Sequence, residues 1–300
     1  MKTTARYATR MKPFAALLLA VTVAIGCRPQ EKKIDIAHQN DVQQWKTRRA
    51  QRLQAEDGWL SLIGLHWLTE GENKVALNKD GAPPVRIDRK GDLLILQSDP
   101  PMTVDGKPVT GPVTLLADTD EHGPTIVQMG SVRFNAIKRG ERYGLRVKDA
   151  ESPTRTHFQG LEYFPLDPKW RVEARYEMYH PPKKIPITDV TGKTSDSISP
   201  GSLKFEIDGQ EYSLDPILEE GETDYFIIFR DNTSTDTTYP AGRYLYASPA
   251  RDGKVILDFN KAYNPPCAFT DFATCPLPPL QNRLPLRVEA GEKKYAGRHG

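Results

Sequence analysis

Three Asp-Gly dipeptides constrain this chain most: Asp105-Gly106, Asp208-Gly209 and Asp252-Gly253 each fall between short apolar or alternating runs. Asp-Gly supplies the positive φ that a two-residue hairpin needs, so each marks a reversal between antiparallel strands. Neighbouring runs such as Leu93–Leu96, Val132–Ile137, Leu203–Ile207, Tyr225–Phe229 and Val255–Phe259 have the length and bounding residues of strands. Twenty-two glycines and 25 prolines provide turns for many of them. The expected body is therefore mainly β, and the lack of a fixed-period repeat argues against a solenoid or propeller.

One segment departs from this pattern. Asp41–Asp57 reads as a helix: Asn40 and Gln43 have capping-box spacing, Val42, Trp45, Ala50 and Leu53 fall near one face, and Gly58 is placed to end it. The basic cluster Lys46, Arg48, Arg49 and Arg52 is expected on the solvated face, with contact to anionic lipid headgroups as the alternative.

The N-terminus reads as an export signal. Lys2, Arg6, Arg10 and Lys12 precede the apolar run Phe14–Ile25, which is too short to cross a bilayer. Ala24-Ile25-Gly26-Cys27 resembles a bacterial lipobox, which implies cleavage before Cys27 and lipidation there. Arg28 stands where an aspartate would signal retention, so the resemblance implies the outer membrane, facing the periplasm, in a Gram-negative cell. Loss of residues 1–26 removes four basic and no acidic side chains, leaving 37 Lys and Arg against 39 Asp and Glu. A near-neutral chain without a basic run argues against nucleic acid as a partner. The expected partners are the membrane, through a lipid on Cys27, and a small-molecule ligand; the oligomeric state stays open.

The expected organisation is a signal peptide over 1–26, a tether over 27–40, a helix plus β-sandwich over 41–180 and a second β domain over 181–300. The boundary falls at His180-Pro181-Pro182-Lys183-Lys184-Ile185-Pro186, and Ser199-Pro200-Gly201 is expected as a turn. The second half contains the most unusual stretch, Asp258–Gln281, which holds five prolines and two of the three cysteines. Proline fixes φ and removes a donor, so this segment is a preset loop rather than a strand or helix.

Gly58-Trp59-Leu60-Ser61-Leu62-Ile63-Gly64-Leu65-His66-Trp67-Leu68, Gly144-Leu145-Arg146-Val147-Lys148-Asp149, Phe229–Ser234 with Thr238–Leu245, and Asp258–Gln281 through Glu292 resemble the bacterial family of domains of unknown function numbered 1684. The resemblance spans residues 57–293 and implies no particular activity. Its first half is similar in strand pattern to forkhead-associated β-sandwiches, but no phosphopeptide-reading motif is present, so that function does not carry over.

Polar residues gather at the ends of strands in the second half. Arg230, Asp231, Tyr239, Arg243, Asp258, Asn260 and Asn264 are the candidate ligand-binding residues, because loops at strand ends are where β scaffolds hold sites. In that reading the arginines take an anionic group and Asp231 or Asp258 is a general base. The alternative is a buried network that only fixes loop shape. Cys267 and Cys275 are expected as a disulfide in an oxidising compartment, with a catalytic Cys267 served by His66 or His157 as the other reading. No metal-ligand spacing, Gly-x-Ser-x-Gly elbow, P-loop or dinucleotide fingerprint occurs, and no cofactor is expected. The leading expectation is a lipoprotein that binds a small anionic or polar ligand. The alternatives are a metal-independent hydrolase using Asp231 or Asp258, and an envelope structural or interaction protein without a pocket.

Overall fold

The computed structural model describes residues 1–3, 35–97 and 101–297. The signal peptide, the lipobox and Cys27 lie outside the described residues. Residues 33–300 form one unit, and it is mainly β with an N-terminal helix, as the turn pattern requires.

The first β layer pair explains where the basic side chains go. A six-stranded antiparallel sheet starts at Leu62–Leu68, continues through Arg142–Asp149 and Val132–Arg139, and ends in the short strands Val127–Met129, Met102–Val104 and Lys107–Val109. A four-stranded sheet holds Gly71–Val75, Val85–Lys90, Leu93–Leu96 and Val113–Thr114. Val85, Ile87, Leu94 and Leu96 of the smaller sheet pack with Phe134, Leu145 and Val147 of the larger in one apolar core. Successive strand residues point to opposite faces. Burying Val132, Phe134 and Ala136 therefore turns Arg133 and Asn135 outward, and burying Leu145 and Val147 turns out Arg146 and Lys148. Arg146 pairs with Asn135 and Lys148 with Arg133 across the ladder, which collects these polar groups on one outer face.

The second β part is built on two long strands, Arg171–Thr188 and Thr194–Ile207, flanked by Gln210–Leu214 and Lys254–Asp258. The run 180–186 lies inside the first of these strands: the prolines shift the pairing register between Met178 and Lys183 without ending the strand. Ser199-Pro200-Gly201 is likewise strand and not turn, because Ser199 pairs with Lys183 and Gly201 with Met178. A two-stranded sheet, Tyr225–Phe229 with Arg243–Ala247, has both faces covered. Tyr225, Ile227 and Phe229 face the main core, while Phe226 and Ile228 face a smaller cluster containing Tyr244, Cys267 and Cys275. Asp105-Gly106, Asp208-Gly209 and Asp252-Gly253 all have φ between 48° and 80°, as hairpin reversals demand.

The helix spans Ile36–Gln54, starting earlier than its sequence signal because Asp35, rather than Asn40, accepts from the Ala37 N–H at 3.1 Å. Its buried positions are His38, Val42, Arg49 and Leu53. Arg49 is thus not on the solvated face. Its Nε donates to Glu292 Oε1 and its Nη2 to the Asn264 carbonyl, both at 2.9 Å, and its guanidinium lies over the Tyr263 ring. Arg48 and Arg52 are exposed. Among the described residues no helix is long and apolar enough to cross a membrane.

Candidate ligand-binding cleft

The polar residues nominated from the sequence form a framework. Arg243 is fully buried; its Nη1 donates to the carbonyls of Ala290 and Glu292, and its Nη2 to the Val288 carbonyl at 2.8 Å and Asp231 Oδ1 at 3.2 Å. The second Asp231 oxygen accepts the Val288 N–H at 2.7 Å and the Thr233 N–H and hydroxyl. Asp258 is occupied in the same way, by His38 Nε2 at 2.7 Å on one oxygen and by Asn260 on the other. Asn264 is tied in through Glu292, which accepts its N–H at 2.8 Å. The Tyr239 hydroxyl donates to the Cys267 carbonyl at 2.9 Å, and Arg230 bonds through its backbone to Asn282 and Leu284. Neither aspartate presents a free oxygen, so the general-base role assigned to Asp231 or Asp258 has no geometric support. The proline-rich loops must satisfy their backbone groups internally, and these side chains do that.

Cys267 and Cys275 are free thiols rather than a disulfide. The Cys267 N–H donates to Cys275 Sγ at 3.0 Å, so the second sulfur serves as a buried acceptor that shapes the loop. Among the described residues no hydrogen bond joins His66 or His157 to Cys267, which removes the relay a catalytic thiol would need.

A cavity of about 740 Å³, within the range of small-molecule sites, lies elsewhere. Its floor is the outer face of the six-stranded sheet, bearing Arg139, Arg146 and Lys148. One rim is the end of the helix with Arg52 and Leu53, and the chain turns there at Gly58. A β-carbon at Gly58 would come within 2.5 Å of the carbonyl oxygens of Arg52 and Leu53, so only glycine lets the chain pass this close and deliver Trp59 to the cleft. The opposite wall is Phe226, Tyr244, Tyr246 and Tyr263, closed by the loop Ala273–Pro276. Among these rings, Tyr246 stacks between Phe226 at 5.0 Å and Tyr263 at 6.3 Å.

The charges in the cleft are unbalanced. Arg139 is satisfied by Asp118, at 2.8 Å from its Nη2. Arg49 has Glu292. Arg146 is different: it lies over Trp59 at 5.2 Å, makes no ion pair among the described residues, and its buried Nε has no hydrogen-bond partner. Burial, reinforced by the Arg139 charge, pushes the Arg146 guanidinium below its usual range. Lys148 donates to the Asp57 carbonyl but faces no bonded carboxylate. Desolvation first, and then repulsion from Arg146, brings its ammonium down to about 8. The tyrosines of the wall stay uncharged, because burial pushes Tyr246 up to about 12 and raises Tyr244 and Tyr263 further, while Glu219, which accepts from the Tyr246 hydroxyl at 3.2 Å, places one carboxylate on that side. The arrangement offers two adjacent cations that make no ion pair among the described residues, facing an aromatic wall with Glu219 beside Tyr246.

None of the seven nominated residues lines this cleft; Asp258 borders a smaller cavity of about 400 Å³ with Asp41, Arg171 and Lys261. Trp59, Arg146 and Lys148 sit inside the segments that carried the family resemblance, yet were not read as a site. The signal was present as basic residues alternating with apolar ones in Val132–Arg139 and Arg142–Asp149.

Residues 156–293 match the family described as a protein of unknown function, DUF1684. The chain belongs to this family through that segment. The matched region contains the aromatic wall and the Ala273–Pro276 loop, whereas Trp59, Arg146 and Lys148 precede it. An uncharacterized protein of Haloarcula marismortui, solved in solution by NMR, is 35% identical; the alignment covers 48% of this chain and 82% of that one, with a TM-score of 0.41. No curated protein matches.

Proposed function

We propose that this protein binds a small anionic ligand in the cleft over Arg146 and Lys148, and that it does so as a lipid-anchored protein of the cell envelope. The observation that carries the binding reading is the buried Nε of Arg146, which has no hydrogen-bond partner and belongs to a guanidinium that makes no ion pair among the described residues. A buried donor without a partner costs about 1–3 kcal/mol, and a cation without a counter-charge costs more. The Nε of Arg243 is likewise without a partner, but that side chain is fully buried among its carbonyl acceptors and Asp231, whereas Arg146 lines the cleft, where an incoming acceptor can supply the missing bond. The anchoring half rests on the lipobox-like run ending at Cys27 and on the preceding signal pattern.

Calorimetric titration with a panel of small carboxylates and phosphates tests the first half. Saturable binding to the native protein, lost in Arg146→Met with an unchanged melting temperature, is the expected result; equal binding by Arg146→Met contradicts it. Fractionation of cells tests the second. Cys27→Ala should move the protein from the membrane to the soluble fraction, and no change in fractionation would remove the lipid anchor from the account.

A further inference from the structure

Resting on the anion-binding reading, we propose that the ligand is an aromatic phosphomonoester, its phosphoryl group held by Arg146 and Lys148 and its ring lying along the tyrosine wall. Three observations carry this. First, two cations next to each other on one strand face have no carboxylate within ion-pair distance among the described residues, Asp118 and Asp57 acting on them only from further off, so a bound monoanion would pair with only one of them. A phosphomonoester brings nearly two charges and three strong acceptor oxygens. Those oxygens match a guanidinium fork and an ammonium in the same corner. Second, Arg139 is committed to Asp118 and Arg133 lies 3.9 Å from Asp57, while Glu219 accepts from the Tyr246 hydroxyl at 3.2 Å. Third, the facing wall is a row of rings, of which Tyr246 is 46% exposed, and aromatic groups favour stacked or edge-to-face contact with another ring. A cleft of about 740 Å³ has room for both parts of such a molecule.

The pairing also fixes a pH signature. Lys148 is faced by Arg146 on its own strand, Arg133 on the neighbouring strand and Asp57 from the helix-to-strand connection, with Asp57 the one acid among them. Its ammonium loses its proton near pH 8 in the free protein. The ligand gains its second charge near pH 6. Affinity should therefore be greatest between about 6 and about 8, and fall about tenfold per unit below that window as the dianion is lost. A dianion bound beside Lys148 raises the ammonium pKa, so binding above pH 8 takes up a proton.

The test is calorimetric titration of the full chain with phenyl phosphate, phenyl sulfate, inorganic phosphate and glucose 6-phosphate at pH 5, 7 and 9. Phenyl phosphate should bind at least tenfold more tightly than the other three at pH 7, weaken at pH 5, and lose its alkaline proton uptake in Lys148→Met. Phenyl sulfate binding equally well would overturn the dianion half while leaving the anion-binding reading intact. Inorganic phosphate binding equally well would overturn the ring half. Tighter binding of glucose 6-phosphate would replace the aromatic ligand by a sugar. Absence of binding by all four, with the protein folded by melting temperature, would overturn both this proposal and the reading beneath it.

Discussion

Replacing Lys148 by methionine should stabilise the protein while weakening its ligand binding. In the native fold the ammonium is pushed from the ordinary 10.5 to about 8, chiefly by burial and then by Arg146. Each unit of that displacement corresponds to about 1.4 kcal/mol, so keeping Lys148 charged at pH 7 costs the fold up to about 3 kcal/mol. Methionine removes that cost and keeps much of the side-chain volume, but it forfeits the hydrogen bond to the Asp57 carbonyl, worth about 1 kcal/mol. A net gain of about 1–2 kcal/mol at pH 7 remains. The pH dependence follows from the sign of the shift. Between about 8 and 10.5 the unfolded chain holds a proton on Lys148 that the folded chain has released, so native stability rises with pH across this window. The variant should lack that rise. Urea denaturation at pH 7 and at pH 9.5 measures both effects. A variant less stable than the native protein at pH 7, or one that retains the same rise between the two pH values, would refute the burial argument for this lysine.

Three further outcomes follow from the framework. Asp231→Ala leaves Arg243 buried with its charge uncompensated and should cost about 3–5 kcal/mol by urea denaturation; a loss under about 1 kcal/mol would contradict the pairing. Gly242 has φ of +109°, and a β-carbon there would meet the Phe229 carbonyl oxygen at 2.5 Å and Pro278 at 2.6 Å, so Gly242→Ala should lower stability by about 1–3 kcal/mol or more, read from its denaturation midpoint. Alkylation in denaturant without reductant should label both Cys267 and Cys275, as shown by intact mass; labelling of neither would mean that they are joined.

The fold was legible in the sequence because hairpin chemistry is local. An Asp-Gly pair with positive φ specifies a reversal whatever surrounds it, and the strands Leu93–Leu96 and Tyr225–Phe229 have the limits their apolar runs imply. The prolines of the 180–186 run misled because a strand tolerates proline where pairing is already shifted, which depends on a partner distant in sequence. Arg49 misled for a similar reason: its acceptors, Glu292 and Asn264, arrive from the far end of the chain. The site was harder still. Asp231, Arg243 and Asp258 have the residue types of a site, and whether they bind a ligand or one another is decided only by tertiary placement. Arg146 and Lys148 announced themselves only as the polar half of an alternating strand, a pattern shared by any solvent-facing sheet; the helix end running into Trp59 and the Ala273–Pro276 loop, which border them, come from two distant parts of the chain.

The most direct measurement is the side-chain Nε–H resonance of Arg146 in a nitrogen-15 spectrum, assigned by its disappearance in Arg146→Met and followed during titration with phenyl phosphate at pH 7. A saturable shift of that resonance, at the ligand concentrations that saturate the calorimetric signal, is the outcome expected of a guanidinium waiting for an acceptor. Saturation of the calorimetric signal with the Arg146 resonance unmoved would place the ligand elsewhere and contradict the account.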